Sequence, residues 1–325
     1  MKLLKLVPDN TNIRFLRWRV PFYAASLLLM AISLALVFTR GLNMGVDFRG
    51  GQMIRVTFVQ SAEAPVAQLR GEVGELGFGE PIIQQFGSPN AVSIRMKLPT
   101  GAEKDAGISD AMAKKITASI SAHHPDARID GVDSVSGKVS GELASSAFQA
   151  LGFAALAVAA YIWFRFEWQF GVGALLSLVH DVTLTLGMFA LTQMEFDLNI
   201  VAALLTLIGY SLNDTIVVYD RIRENLKKFR RMPMPELLDL SVNETLHRTI
   251  ATSLSMLITL VALLILGPGV IFGFTAAITL GIFVGTYSSI YMAAPILIWL
   301  KVTSSSFVPT ETAMDRQEKL AREQG

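Results

Sequence analysis

The stretch at residues 198–225 begins with about twenty nearly apolar residues that carry one carboxylate, Asp214, before a basic exit, and this feature constrains the fold more than any other in the sequence. A helix of roughly twenty apolar residues can cross a bilayer, but a charge near its centre costs about 2.5 to 3.5 kcal/mol on insertion scales. At helical spacing Thr206, Tyr210 and Asp214 fall on one stripe, with Ser211 beside them. We therefore predict a transmembrane helix whose polar stripe faces other protein rather than lipid.

The composition indicates a membrane protein. Of 325 residues, 52% are hydrophobic and 17% are charged, and the mean hydropathy is +0.46. Soluble domains carry about a quarter charged residues, so this fraction is low for one. The formal net charge is +1 and the basic residues cluster beside apolar runs, so we expect no nucleic-acid partner. The chain contains no cysteine, which excludes disulfides and thiol chemistry.

Apolar runs predict six transmembrane helices. The first follows a basic segment, residues 1–19, and no small-x-small cleavage site comes after it, so we predict that it is not removed. Lysine and arginine are concentrated in alternate connections, which predicts cytoplasmic termini, a cytoplasmic loop at 221–248 and a cytoplasmic tail at 301–325. The predicted helices are 20–39, 143–164, 170–192, 198–220, 249–266 and 272–300.

Residues 40–142 are less apolar and carry charges of both signs, which indicates a folded domain outside the membrane. Strand-like and helix-like patches alternate in the order βαββαβ, which predicts an α+β ferredoxin-like domain. The glycines Gly45, Gly50 and Gly51 indicate either a tight approach of the backbone or a simple turn. The predicted strands are 51–59, 81–86, 91–98 and 127–135, and the predicted helices are 64–77 and 108–124.

Residues 233–248 form a separate amphipathic pattern between the fourth and fifth predicted spans. The segment has proline at a plausible helix start and leucines on one side. We predict a helix that lies along the inner membrane surface, with a helix that docks a partner as the alternative.

The third and fifth predicted spans also carry polar residues at helical spacing. Three neighbouring helices with polar faces predict one shared interior site, in which Asp214 and Arg248 neutralise each other. The polar residues are Ser177, His180, Asp181 and Thr185 in the third span, Asn213 beside the stripe of the fourth, and Arg248, Thr252, Ser255 and Thr259 in the fifth.

Two interpretations of the Asp214 and Arg248 pair stay open. It is either a static pair that sets helix register or a protonatable relay, in which neutralising the carboxylate releases the arginine and changes helix packing. His180 with Asp181 is likewise either a relay partner or a hydrogen-bonded packing pair. A ladder of small residues in the sixth span predicts close helix packing. The ladder is Gly273, Ala277, Gly281, Gly285 and Ser289.

Sequence signatures of enzymes and metal sites are absent. There is no HExxH, GxSxG or Walker A motif, and no GxGxxG in a suitable context. The four histidines, His123, His124, His180 and His247, lack metal-ligand neighbours at useful spacing. We therefore expect no bound metal, no cofactor and no enzymatic activity.

Four segments in chain order resemble the SecF family, the smaller half of the SecD/SecF accessory complex of the bacterial Sec translocase. The likeness covers essentially the whole chain, and the segment around Asp214 is highly specific. The segments are GVDFRGG, LVHDVTLTLG, LTLIGYSLNDTIVVYDRIREN and ETLHRTIATS.

The resemblance implies a subunit of the inner membrane that uses the proton gradient to pull or release exported polypeptide after the ATP-driven stage. It implies that Asp214 and Arg248 belong to the proton pathway, that the domain after the first span is periplasmic, and that the membrane fold is half of an RND-like transporter. It also implies an obligate SecD partner, which supplies a second acidic residue, together with the SecYEG translocon, YajC, unfolded exported polypeptide and protons.

Two residues depart from the family pattern, Arg49 within GVDFRGG and Gly137 before the second span, and they affect only the hinges of the outer domain. Two other functions compete with the leading one. An RND-type exporter of small or lipidic molecules normally needs a second outer domain and more spans. A non-conducting assembly or holdase partner needs Asp214 and Arg248 only as scaffolding.

Overall fold

The computed structural model of the chain describes residues 8, 11–97 and 106–303, and the predicted tail beyond 303 lies outside them. In that part, six helices are long and apolar enough to cross a bilayer, which confirms the predicted polytopic helical fold. In chain order the elements are a 3₁₀ turn (Phe15–Trp18), α1 (Arg19–Thr39), β1 (Asn43–Met44), α2 (Val46–Arg49), β2 (Gly51–Phe58), α3 (Val66–Gly74), β3 (Ile82–Phe86), β4 (Ser88–Met96), α4 (Ala106–His123), β5 (Ala127–Val135), α5 (Gly137–Arg165), α6 (Trp168–Thr192), β6 (Glu195–Phe196), α7 (Leu198–Lys228), α8 (Met234–Leu266), a 3₁₀ turn (Gly269–Ile271), α9 (Phe272–Ser288), a π-helical turn (Ser289–Ala293) and α10 (Ala294–Trp299).

The α+β domain consists of β2 to β5 with α3 and α4. Its strands follow the order β3-β4-β2-β5, with antiparallel pairing throughout. The βαββαβ sequence is the predicted one, and this strand order is consistent with a ferredoxin-like domain. Alternate residues of the central strands, including Ile54 and Ile94, are buried under Leu69 of α3 and Ile116 of α4. The two helices therefore cover one face of the sheet.

The helices continue past the ends of the apolar runs. The second span begins at Gly137 rather than at 143, where Ser136 accepts a hydrogen bond from the amide of Val139 at 3.4 Å. The fourth span runs to Lys228 and the fifth begins at Met234. Hydropathy marks where lipid begins, whereas a helix ends where its capping and packing end, so the two boundaries differ.

The predicted surface helix between the fourth and fifth spans is wrong, because these residues are the first turns of the continuous helix α8. Leu237 and Leu238 are buried against the neighbouring helices rather than turned to lipid. The Nδ2 atom of Asn225 on α7 donates to Ser241 Oγ at 3.0 Å and to Glu244 Oε2 at 2.7 Å. The leucine face that suggested a membrane surface is therefore the packed face of an α7–α8 hairpin.

Small residues let the membrane helices approach closely. A Cβ on Gly281 of α9 would lie 2.4 Å from Leu207 of α7, and a Cβ on Gly285 would lie 3.2 Å from Ser211. These contacts give the predicted small-residue ladder its packing role. The π-helical turn that follows lies just before Pro295, which cannot donate a backbone hydrogen bond one turn back, and this accounts for the irregularity.

Residues 43–51 connect α1 to the α+β domain through close backbone contacts. β1 pairs in parallel with β6, which lies between α6 and α7. A Cβ on Gly45 would lie 3.0 Å from Glu195 Oε1, and one on Gly51, whose φ is +127°, would lie 2.5 Å from the carbonyl oxygen of Met96. Of the two readings of this glycine segment, the structure supports the tight approach.

Candidate functional site

Asp214 lies where α7, α8 and α9 meet, and it is only 3% exposed. Its Oδ2 atom is 3.3 Å from Ser253 Oγ of α8, which is 2.7 Å from Thr286 Oγ1 of α9. Tyr210, one turn earlier on α7, directs its hydroxyl to Ser253 at 3.5 Å. A buried carboxylate is therefore held by one long hydroxyl contact at a three-helix seam, which leaves it weakly restrained.

Arg248 is on the same helix as Ser253, but its side chain is exposed. It lies within range of a Coulomb interaction with Asp214. In the part of the chain that the structure describes, no direct ion pair joins the two groups. The predicted neutralising contact is therefore not formed in this conformation.

The rest of the predicted stripe forms an open polar face beside Asp214. Its hydroxyl groups donate to backbone carbonyls of their own helices, which satisfies them without a partner helix. The bonds run from Thr206 to Ala202, from Thr252 to Arg248 and from Ser255 to Ala251, at 2.9, 3.0 and 2.7 Å. Thr206, Asn213, Thr252 and Ser255 are all exposed.

A second buried carboxylate, Asp181 of α6, lies on the other side of the α7–α9 seam and is fully buried with His180. Its Oδ2 atom accepts from Ser211 at 2.5 Å and from Ser288 at 2.9 Å, and its Oδ1 atom is 2.9 Å from His180 Nδ1. The donors come from α6, α7 and α9. Asp181 thus ties three helices together.

The two carboxylates are restrained very differently. Asp181 has three contacts of 2.5, 2.9 and 2.9 Å to donors on α7, α9 and α6. Asp214 has one contact, at 3.3 Å, among the described residues, and it lies within range of a Coulomb interaction with the exposed Arg248. Of the two carboxylates, Asp214 is therefore the less restrained.

Sequence reasoning missed three site residues: Ser253, Thr286 and Ser288. Ser253 is one position beyond the predicted stripe of the fifth span, and one residue rotates a helix by about 100°. Thr286 and Ser288 alternate with the small-residue ladder of the last span, which directed attention to helix packing. The run of hydroxyl-bearing residues in this segment of the sequence could have identified them.

The site offers nothing that would hold a metal ion. Within residues 8, 11–97 and 106–303, no group of three histidine, cysteine, aspartate or glutamate side chains is arranged to bind one. His123 bonds only to its own helix and His124 pairs with Glu72 at 3.0 Å, both in the α+β domain. Neither contributes to the membrane site.

The chain is similar to known proteins along nearly its whole length. The family described as "Protein export membrane protein SecD/SecF, C-terminal" matches residues 115–303, and the SecD/SecF GG motif matches residues 35–62. The protein translocase subunit SecF of Cereibacter sphaeroides is 45% identical over 304 residues, which are 92% of this chain and 93% of that protein. The SecF of Rhodobacter capsulatus is 42% identical over 306 residues, 91% of each chain.

Two solved structures resemble the fold. SecDF from Thermus thermophilus, a translocon-associated membrane protein, superposes with a TM-score of 0.81 at 34% identity over 91% of this chain. A second SecDF structure, in a super-membrane-facing form, gives a TM-score of 0.63 at 32% identity over 98% of this chain. The chain spans only 40% and 41% of the length of those two SecDF chains.

Proposed function

The chain belongs to the SecF family of protein translocase subunits, and from that premise we propose that it uses the proton motive force to promote late, ATP-independent movement of exported polypeptide. It is a multi-pass inner-membrane protein of the Sec pathway. In the proposed cycle, Asp214 takes up a proton, its attraction for Arg248 weakens, and the packing of α7 against α8 changes.

One observation carries this proposal: among the described residues, a buried carboxylate with a single long contact stands beside an arginine that forms no ion pair with it and beside an open polar face. A purely structural buried ion pair should be closed and fully hydrogen-bonded, because an imperfect pair rarely offsets its desolvation cost. Asp214 and Arg248 are not in direct contact, and this chain alone leaves the Arg248 side chain exposed. The arrangement suits a charge that is meant to change.

The open polar face supports the proposal that a second subunit packs against it. Asn213 is exposed at membrane depth beside Thr206 and Ser255, and a polar amide that faces lipid there is unfavourable. The solved SecDF chains are more than twice as long as this one. We infer that a SecD subunit covers the face and supplies the second acid, and that the pair acts beside the SecYEG translocon, with YajC, on unfolded polypeptide.

The proposed orientation places both termini in the cytoplasm and the α+β domain in the periplasm. Six spans return the chain to its starting side. The α7–α8 connection carries Lys227, Lys228, Arg230 and Arg231, which favours the cytoplasm for that connection. The domain would then lie on the side where exported polypeptide emerges.

Replacing Asp214 with asparagine tests the proposal, because the amide keeps the shape of the side chain and cannot exchange the proton. In the complex with SecD, we expect D214N to assemble normally and to reduce gradient-dependent export in membrane vesicles to the rate seen without a gradient. Asp220→Asn is the matched control, because Asp220 lies on α7 like Asp214 but is exposed. Asp220 pairs with Arg165 of α5 at 3.0 Å. Normal gradient-dependent export by D214N would favour the scaffold function instead.

A further inference from the structure

The start of α7 is built into the segment that leads to the α+β domain. The backbone amide of Gly45 donates to the carbonyl of Phe196 at 2.9 Å. The first amide of α7, on Leu198, donates to Asp47 Oδ2 at 2.9 Å, and the amide of Ile200 donates to Asp197 Oδ1 at 3.1 Å. The helix that carries Asp214 is therefore capped partly by a side chain from α2.

Arg95 joins the α+β domain to this cap. It is on β4 and is 8% exposed. Its Nη1 atom donates to the carbonyl of Met44 at 2.8 Å, and its Nη2 atom donates to Asn43 Oδ1 at 2.7 Å. The same side chain lies 3.8 Å from Glu195, in the strand that precedes α7. One guanidinium thus contacts both strands of the two-stranded sheet.

The connection from this junction to Asp214 is short and stiff. α7 is continuous from Leu198 to Lys228, so Asp214 lies about 24 Å from the cap at 1.5 Å per residue. A rigid helix transmits a displacement of its end along its whole length. Within the α+β domain, Arg95 lies on β4 and pairs with Met53 of β2, so the central strands of the sheet hold its backbone in place.

We propose that Arg95 is a positioning residue that couples the α+β domain to α7, so that protonation of Asp214 and displacement of the domain occur together. This inference rests on the proposed function and adds the route by which a proton would move polypeptide. The bidentate contact is what makes the coupling, because a fork of donors constrains direction as well as distance.

A distance measurement on the assembled complex tests the coupling without measuring export. The chain contains no cysteine, so K114C and L266C accept spin labels, one on α4 of the domain and one at the exposed end of α8. We expect Asp214→Asn, which mimics the protonated acid, to shift the distance distribution. With Arg95→Met as well, we expect that shift to disappear. The same shift in the R95M background, or no shift in the parent, would overturn the proposal.

Two further variants and one control variant separate an effect on coupling from an effect on folding. Arg95→Lys keeps the charge without the fork and should restore part of the shift. Gly45→Ala disturbs the junction from the opposite side, since its Cβ would meet Glu195 at 3.0 Å, and it should also reduce the shift. Arg128→Met removes an exposed charge of the same domain, paired with Asp130 at 2.8 Å, and should leave the shift unchanged. Equal shifts in the parent, R95K and G45A would contradict the assignment even if R95M does not assemble.

Export measurements distinguish this inference from the function on which it rests. We expect R95M to lower gradient-dependent export by about fivefold or more, the lower end of coupling between distant sites. If D214N abolishes that export while R95M preserves both export and the distance shift, only the coupling route is wrong. If D214N preserves export, the proposed function itself fails.

Discussion

At the scale of single residues, two aspartates in neighbouring helices differ in the number of donors that surround them. Asp214 has one hydroxyl at 3.3 Å, whereas Asp181 has Ser211 and Ser288 on one oxygen and His180 on the other. Of the two predicted roles for His180 and Asp181, this geometry favours the packing pair. A dense network resists a change of charge, and a sparse one permits it.

Replacing Asp181 with leucine should therefore destabilise the protein strongly. Ser211, His180 and Ser288 would lose this acceptor, although Ser288 also bonds to the carbonyl of Gly285 at 3.1 Å. We therefore expect a loss of about 2 to 4 kcal/mol. The midpoint of thermal unfolding in detergent would measure it. Asp181→Asn retains an acceptor and should cost less. Ser177→Ala is the control, because the Ser177 hydroxyl is buried on the same helix with no hydrogen-bond partner among the described residues. Equal stability of D181L and S177A would refute the structural role.

At the scale of helices, the membrane part is assembled from close contacts at glycines. α6 meets α1 at Gly187, where a Cβ would lie 2.1 Å from Ser33 Oγ and 2.9 Å from Ser33 Cα. The backbone of α1 would have to move to admit a methyl group. At Gly281 the obstacle is the flexible end of Leu207 instead, so that contact can adapt more easily.

Alanine substitutions should rank these glycines by how much each substitution destabilises the protein. Replacing glycine with alanine inside a helix stabilises the helix by about 1 kcal/mol, whereas overpacking destabilises a protein by about 1 to 3 kcal/mol. We expect Gly187→Ala to destabilise the protein and Gly281→Ala to destabilise it less. Gly152→Ala on α5, where a Cβ meets nothing within 4 Å, should be neutral or stabilising. Thermal unfolding of the three variants tests the order, and a stable G187A would show that α1 is not packed as described.

At the scale of the whole molecule, the junction between the α+β domain and the membrane helices holds a cluster of buried charges. Burial raises the pKa of Glu195 above its ordinary value of 4.5, while Arg95 and Arg55 oppose the increase and Asp197 and Asp47 add to it. The docked junction therefore binds a proton more tightly than a carboxyl exposed to water. By linkage, docking is favoured below pH 4.5 and loses this contribution as the pH rises through the raised pKa.

Acidification should accordingly sharpen the distance distribution between labels at Lys114 and Leu266, from neutral pH down to about 4.5. Glu195→Gln, which resembles the protonated form, should give the sharp distribution at neutral pH and remove the pH dependence. A distribution that broadens on acidification would mean that the charged pair with Arg95, and not the burial of Glu195, dominates the junction.

The six membrane helices, the βαββαβ domain between the first two, and the presence of a carboxylate, Asp214, inside an apolar helix could all be predicted from the sequence. Each follows from a local pattern, because apolar length, periodicity and an isolated acid are visible without knowing what lies nearby. The glycines at 45–51 were visible as well, but two readings of them were equally open until β6 was placed against Gly45.

Which polar groups meet depends on how the helices pack, and the sequence alone does not reveal it. The tertiary structure placed Ser253 and Thr286 beside Asp214, left Arg248 out of direct contact, and turned the predicted surface helix into the packed start of α8. The rotation of each helix about its axis decides these outcomes. One residue changes the facing direction by about 100°, so spacing alone does not determine which of two adjacent residues faces a neighbouring helix. The rotation is set by packing against other helices, and no single segment encodes it.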